Sequence, residues 1–134
     1  MESLFKWAVA FIATAISFLY GEWTMLLQIL LALVIIDYVS GILAAGMSGQ
    51  VSSRVGLMGI ARKIFIFVMV AVSHQVDKIL LEVGLETESL IMTASIVFYL
   101  VNELISITEN AGRMDLPVPK KLKQAIEILK GEDQ

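Results

Sequence analysis

Two carboxylates, Asp37 and Glu103, sit inside predominantly apolar stretches that are otherwise uncharged. Asp37 is the only charge in Met25–Gly46 (MLLQILLALVIIDYVSGILAAG), and Glu103 the only charge in Ser89–Thr108. Taking Thr24–Gly46 and Ser89–Asn110 as the helical spans, at 1.5 Å rise per residue each acid falls roughly 3–5 Å to the same side of its span's midpoint. Similar depth lets them meet. Two carboxylates in a low-dielectric interior cannot both stay charged without a cation, so at least one must hold a proton or find a positive partner. Arg62 and Lys63 begin about 10 Å further along the axis, within reach of their long side chains. The chemistry open to this group is ion pairing and charge switching, or a purely structural buried pair.

A second pattern runs along the same stretch as Glu103. Ser95, Tyr99, Asn102, Ser106 and Glu109 recur at alternating intervals of four and three, forming one polar stripe on a helix otherwise faced by Ile, Val, Leu and Phe. Without water to satisfy them, such groups must face other helices or a wet lumen. Both readings stay open: hydrogen-bonded glue between helices, or the lining of a pore. His74, the only histidine, shares a face with Asp77, with Ser73 and Gln75 adjoining. One histidine among scattered carboxylates lacks the convergent ligands a metal needs, so no metal is expected. It reads as a hydrogen-bonded core histidine or a pH-sensitive group. Ser40, Gly41, Ala44 and Ala45 place small residues on one face of the second stretch, which suits close helix packing within or between subunits.

The elements that must position these groups are membrane-spanning helices. The chain has 134 residues, 57% of them hydrophobic, and a mean hydropathy of +0.81. A bilayer core of about 30 Å needs about 20 apolar residues of helix. Met25–Gly46 and Ser89–Thr108 meet that need. Gly59–Leu81 does so around the uncharged run Ile64–Val76, with Arg62 and Lys63 at one interface and Asp77 and Lys78 near the other. The first segment, Leu4–Tyr20, is long enough only if Lys6 snorkels to the interface, the alternative being an interfacial helix. Trp7, Tyr20 and Trp23 at its ends favour a span. The amino terminus has the outline of a signal peptide, but Leu19-Tyr20-Gly21 is too bulky for a cleavage site, and it is read as retained.

Charge placement sets the expected orientation. With both termini in the cytoplasm, every basic residue except Lys78 falls on the inner side, while Glu22, Glu82, Glu86 and Glu88 fall outside. The expected fold is therefore all-α: an integral membrane bundle of four helices (residues 1–116), then a Pro117-Val-Pro119 hinge and a short amphipathic helix (residues 117–134). In that tail, Leu122, Ala125, Ile126 and Leu129 oppose Lys120, Lys121, Lys123 and Lys130, the pattern of a helix lying on an anionic membrane surface. The acidic Glu132-Asp133 end leans instead towards a solvated tail. A net charge of −3 and segregated lysines offer no nucleic-acid surface. The absence of cysteine excludes a disulfide framework. No nucleophile set, zinc-protease motif, phosphate loop or dinucleotide glycine pattern is present, so neither catalysis nor a cofactor is expected.

Several separated blocks carry a family resemblance. Asp37-Tyr-Val-Ser-Gly41-Ile-Leu-Ala-Ala45 is followed by Ser52-Ser53-Arg-Val-Gly56-Leu-Met-Gly59-Ile-Ala-Arg62-Lys63. Then come Glu103-Leu-Ile-Ser106-Ile-Thr-Glu109-Asn110 and Leu116-Pro-Val-Pro119-Lys120-Lys-Leu122. In this order they resemble the phage holin family of Gram-positive phages and prophages, which includes the clostridial toxin-secretion holin. The resemblance covers about residues 36–129, with the N-terminal segment outside it. It implies a protein of the bacterial cytoplasmic membrane that assembles with copies of itself into lesions. These release a cell-wall-degrading endolysin, or help export a large protein, and no direct contact with the endolysin is required. By motif position it maps Asp37, Gly41, Ser53, Gly59, Arg62 and Lys63 to the second and third spans. Glu103, Ser106, Glu109, Asn110, Pro117 and Pro119 map to the last span and hinge. A small ion or proton channel built on Asp37, His74 and Glu103, and an antiholin-like membrane regulator, are the competing readings of the residues.

Overall fold

Hydropathy and capping chemistry cut the chain into five helices. A computed structural model describes residues 1–131; Glu132 and Asp133, and with them the expectation drawn from the acidic end, lie outside the described residues. The helices are α1 (Glu2–Tyr20), α2 (Met25–Met47), α3 (Ser53–Glu82), α4 (Leu90–Arg113) and α5 (Lys120–Lys130), with no strand among the described residues. The fold is all-α, and α1 to α4 are each long and apolar enough to cross a membrane.

Local chemistry explains the boundaries. Thr24 Oγ1 accepts the Leu27 amide (3.3 Å) at the start of α2, and Ser52 Oγ accepts the Val55 amide (3.2 Å) at the start of α3. The Ser52 cap starts α3 six residues before the expected Gly59. At 30 residues α3 is about 45 Å long, so its first turns, with Arg54, extend past an apolar layer of about 30 Å. α4 likewise runs on from Thr108 to Arg113, where Asp115 (φ 58°) reverses the chain. Gly21 closes α1 with φ 70°, and a Cβ there would also meet the His74 ring at 3.1 Å, so only glycine suits this turn.

α4 lies at the centre of the bundle. It packs most extensively on α2, then on α3, and it also carries α5, whereas α2 and α3 touch each other sparingly. The core joins Leu27, Leu30 and Val34 of α2 to Val70 of α3 and to Met92, Ile96 and Leu100 of α4. Elsewhere the helices expose Phe5, Phe11, Ile64, Phe65, Phe98 and many other large apolar side chains. An apolar surface that extensive needs lipid or protein against it.

α1 buries no residue and contacts α3. Tyr20 Oη donates to the Phe67 carbonyl (2.8 Å) and Gln75 Nε2 donates to the Phe18 and Leu19 carbonyls (3.1 and 3.3 Å). The Lys78 ammonium sits 4.1 Å from the centre of the Phe18 ring. These contacts anchor the last turn of α1 and leave the rest of the helix open.

The tail packs back on the bundle. α5 folds back along α4 and buries Ile126. Its end, Leu129 and Lys130, lines a cavity of about 550 Å³ with Ala94, Val97, Phe98 and Asn102. The reason is amphipathicity. The apolar face of α5 finds the exposed apolar face of α4 within reach of a six-residue connection and covers part of it. Lys120, Lys121 and Lys123 remain exposed, while Lys130 is drawn towards the middle of α4 and lies 3.8 Å from Glu127.

Candidate functional site

The site forms where α2, α3 and α4 meet below the apolar core. Asp37 and Glu103 are only 4% and 3% exposed. They share one cation: Lys63 Nζ donates to Asp37 Oδ2 and to both Glu103 oxygens (2.9 and 2.8 Å). Lys63 comes from α3, so this triad ties all three helices together. Removing such ions from water costs several kcal/mol each unless close partners engage their polar atoms, and here all four carboxylate oxygens are engaged. The fourth partner is Asn110, whose Nδ2 reaches Asp37 Oδ1 (2.8 Å), the Asp37 carbonyl (3.1 Å) and Ser40 Oγ (2.9 Å).

Small residues make these approaches feasible. A Cβ on Gly41 would lie 3.6 Å from Asn110 Nδ2, and Ser40, Ala44 and Ala45 complete the same packed surface, with Ala44 and Ala45 buried. The small-residue face is thus covered within the subunit. On α3, Gly56 and Gly59 leave room for the Tyr38 ring, which a Cβ at either position would approach to 3.3 Å, and Tyr38 Oη donates to the Gly56 carbonyl (3.3 Å). Two carboxylates and one ammonium leave the triad one negative charge in excess. Uptake of one proton, or approach of one more cation, makes it neutral. That is the chemistry this arrangement offers: a charge cluster with two nearby balanced states.

Arg62 does not join the triad. Its side chain is exposed and meets no carboxylate among the described residues, because consecutive helical residues point about 100° apart and Lys63 takes the inward direction. The polar stripe is divided. Ser95 Oγ pairs with Ser73 Oγ on α3 (2.6 Å), Tyr99 packs against the core and edge-on to Phe98, and Ser106 lines the cavity beside Asp37 and Lys63. Asn102 and Glu109 are exposed, and Asn102 has no hydrogen-bond partner among the described residues although it lies at the middle of α4. His74 lies under the α1–α2 turn against Gly21, away from Asp37 and Glu103, and its buried Nδ1 has no hydrogen-bond partner among the described residues.

Two residues matter more than the sequence suggested. Asp77 is buried and accepts the Thr87 hydroxyl (2.6 Å) and the amides of Ile91 (3.1 Å) and Met92 (2.8 Å). It caps the N-terminus of α4 from a neighbouring helix, since Ser89, in the left-handed region, makes no side-chain cap. The available signal was an acid at the end of one span, one short loop before a helix without its own cap. Asn110 lies seven residues after Glu103 and so shares its face, which the stripe assignment passed over.

Comparison with known proteins gives a consistent picture. The sequence model of the bacteriophage holin family matches residues 14–131, so the match begins within α1, earlier than the resemblance at residue 36. A protein of Halalkalibacterium halodurans of no stated function is 68% identical, over 99% of this chain and 98% of its own. A second relative, from Listeria monocytogenes, is 42% identical over 100% of this chain and 94% of its own. A Bacillus phage phi105 protein named "Probable holin" is 28% identical over 87% of this chain and 82% of its own. No solved structure matches.

Proposed function

The chain belongs to the bacteriophage holin family, and from that premise we propose that it gathers in the bacterial cytoplasmic membrane and assembles with copies of itself into a non-selective lesion. Through this lesion a cell-wall-degrading endolysin, or another large protein, leaves the cytoplasm and the host cell lyses. The protein acts through assembly and not catalysis. Its partners are itself and the lipid bilayer, and the endolysin needs no contact with it. Both termini face the cytoplasm, an orientation supported by the distribution of basic residues.

The observation that carries the reading is the contrast between the triad and Asn102. In the dispersed subunit the ionic groups satisfy one another: Lys63 holds Asp37 and Glu103, and Asn110 completes the set. Asn102, at the mid-depth of an apolar helix, borders the open α4–α5 cavity beside Lys130 and has no hydrogen-bond partner among the described residues, a position where an amide calls for a polar partner. A second copy or a water-filled lumen supplies it. Assembly then turns the stripe from Asn102 to Ser106 and Glu109 towards water, while the small-residue face stays occupied by α4. The excess charge of the triad couples the change to the membrane potential, at about 2.3 kcal/mol per charge moved across 100 mV.

The test has a cellular and a purified arm. Induced expression stops respiration abruptly and lets a co-expressed cytosolic endolysin reach the wall; at equal expression, Asp37→Asn shifts the moment of lysis. Unchanged timing removes Asp37 from the switch. In liposomes the protein releases large dextrans as well as small dyes, and the paired change Asn102→Leu and Ser106→Leu abolishes release while insertion persists. Release of small ions with dextrans retained defeats the lesion reading in favour of a selective channel.

A further inference from the structure

Between α2, the α2–α3 turn and the adjoining parts of α3 and α4 lies a cavity of about 580 Å³, with Asp37 of α2 in its wall. Arg62 from α3 and Arg113 from the last turn of α4 line it, together with Gln50 and Ser52 from the turn. Neither guanidinium meets a carboxylate among the described residues. Lys63 shares the wall but is already engaged by Asp37 and Glu103. Two guanidinium groups from different helices, both partly open to the surroundings, therefore border one cavity, while Asp37 in the same wall is already held by Lys63 and Asn110. Its volume falls within the range of about 300–1,000 Å³ usual for small-molecule sites.

The chemistry of the wall selects the ligand. Guanidinium groups bind phosphate oxygens through paired, charge-assisted hydrogen bonds, and the amide of Gln50 and hydroxyl of Ser52 add neutral donors. Arg62 stands just before the apolar run Ile64–Val76 and Arg113 at the end of α4, which places both at the border of the hydrocarbon layer, the level of phospholipid phosphates. Val55 and Ile66 continue the wall as an apolar surface. We propose that this cavity is a binding site for a phosphate-bearing anion, with Arg62 and Arg113 as its paired cationic ligands and an acidic phospholipid headgroup, its acyl chains running past Ile66, as the favoured source. The site does not depend on lesion formation.

Full-length protein in an uncharged detergent is offered phosphatidylglycerol, phosphatidylcholine or inorganic phosphate, and retained ligand is read by native mass spectrometry alongside thermal stabilisation. The wild type retains phosphatidylglycerol about tenfold over phosphatidylcholine. The double change Arg62→Gln and Arg113→Gln brings the two lipids to parity, whereas Lys120→Gln with Lys121→Gln keeps the preference. Millimolar inorganic phosphate that displaces the lipid and stabilises the protein alone assigns free phosphate as ligand; failure to displace assigns the lipid. Both outcomes support the site. Should the glutamine variant not fold, Arg62→Lys with Arg113→Lys keeps the charge but loses the paired geometry, and its preference falls part of the way. Equal retention of both lipids by the wild type, a preference kept by the double arginine variants, or one lost in the tail-lysine variant overturns the proposal.

Discussion

Lys63 is the residue on which the site turns, because a single ammonium answers two buried acids. Its replacement by methionine leaves both carboxylates without a cation, and breaking a buried pair in this way costs about 3–5 kcal/mol. The expected result is a large drop in thermal stability of the detergent-solubilised protein. Adding Asp37→Asn and Glu103→Gln to the same chain removes the stranded charges and restores most of the loss, since neutral replacement of a buried ionic group is often close to cost-free. A triple variant no better than Lys63→Met argues that the contacts matter for shape and not for charge. The sequence placed Asp37 and Glu103 at a common depth and named both basic neighbours. It could not say which of Arg62 and Lys63 turns inward, because that depends on the rotation of α3 about its own axis.

At the scale of elements, α4 is tied at both ends to other helices. Asp77 holds its first amides and Asn110 ties its last turns to α2. Asp77→Ala removes a cap worth about 0.5–2 kcal/mol and speeds hydrogen exchange first at Ile91 and Met92, leaving the Asn110 end protected. Uniform loss of protection along α4 contradicts this division. The docking of α5 is separable in the same way. Spin labels on cysteines placed at Ala94 and Leu129 give one narrow, short distance in the native sequence background, and Ile126→Asp, which puts a charge where α5 is buried, broadens it. An unchanged distribution in the variant shows that the chain hinge, and not the apolar face, holds α5 in place.

For the whole molecule, orientation is the property to establish. The chain has no cysteine, so single cysteines at Ser3, Glu86 and Lys123 report sidedness without interference. With both termini inside, a membrane-impermeant thiol reagent added to intact cells labels Glu86→Cys alone. Labelling of Ser3→Cys as well puts the N-terminus outside and reduces α1 to an interfacial or differently inserted helix, leaving the other three spans as they are. The large apolar surface left open on α1 and on the outer faces of α2 to α4 needs lipid or protein against it.

Hydropathy, capping residues and charge bias are local properties, and they determined the all-helical class, the four apolar helices, the tail helix Lys120–Lys130 and the depth of each acid. They suffice because a helix satisfies its own backbone and its span is set by its own length. Which faces meet is not local. The inward turn of Lys63, the capping of α4 by Asp77, the bond from Asn110 to Asp37 and the return of α5 along α4 each join residues far apart in the chain. Only the tertiary packing decided them, since rotating a helix by one residue position leaves its hydropathy unchanged but sends a different side chain to the interior.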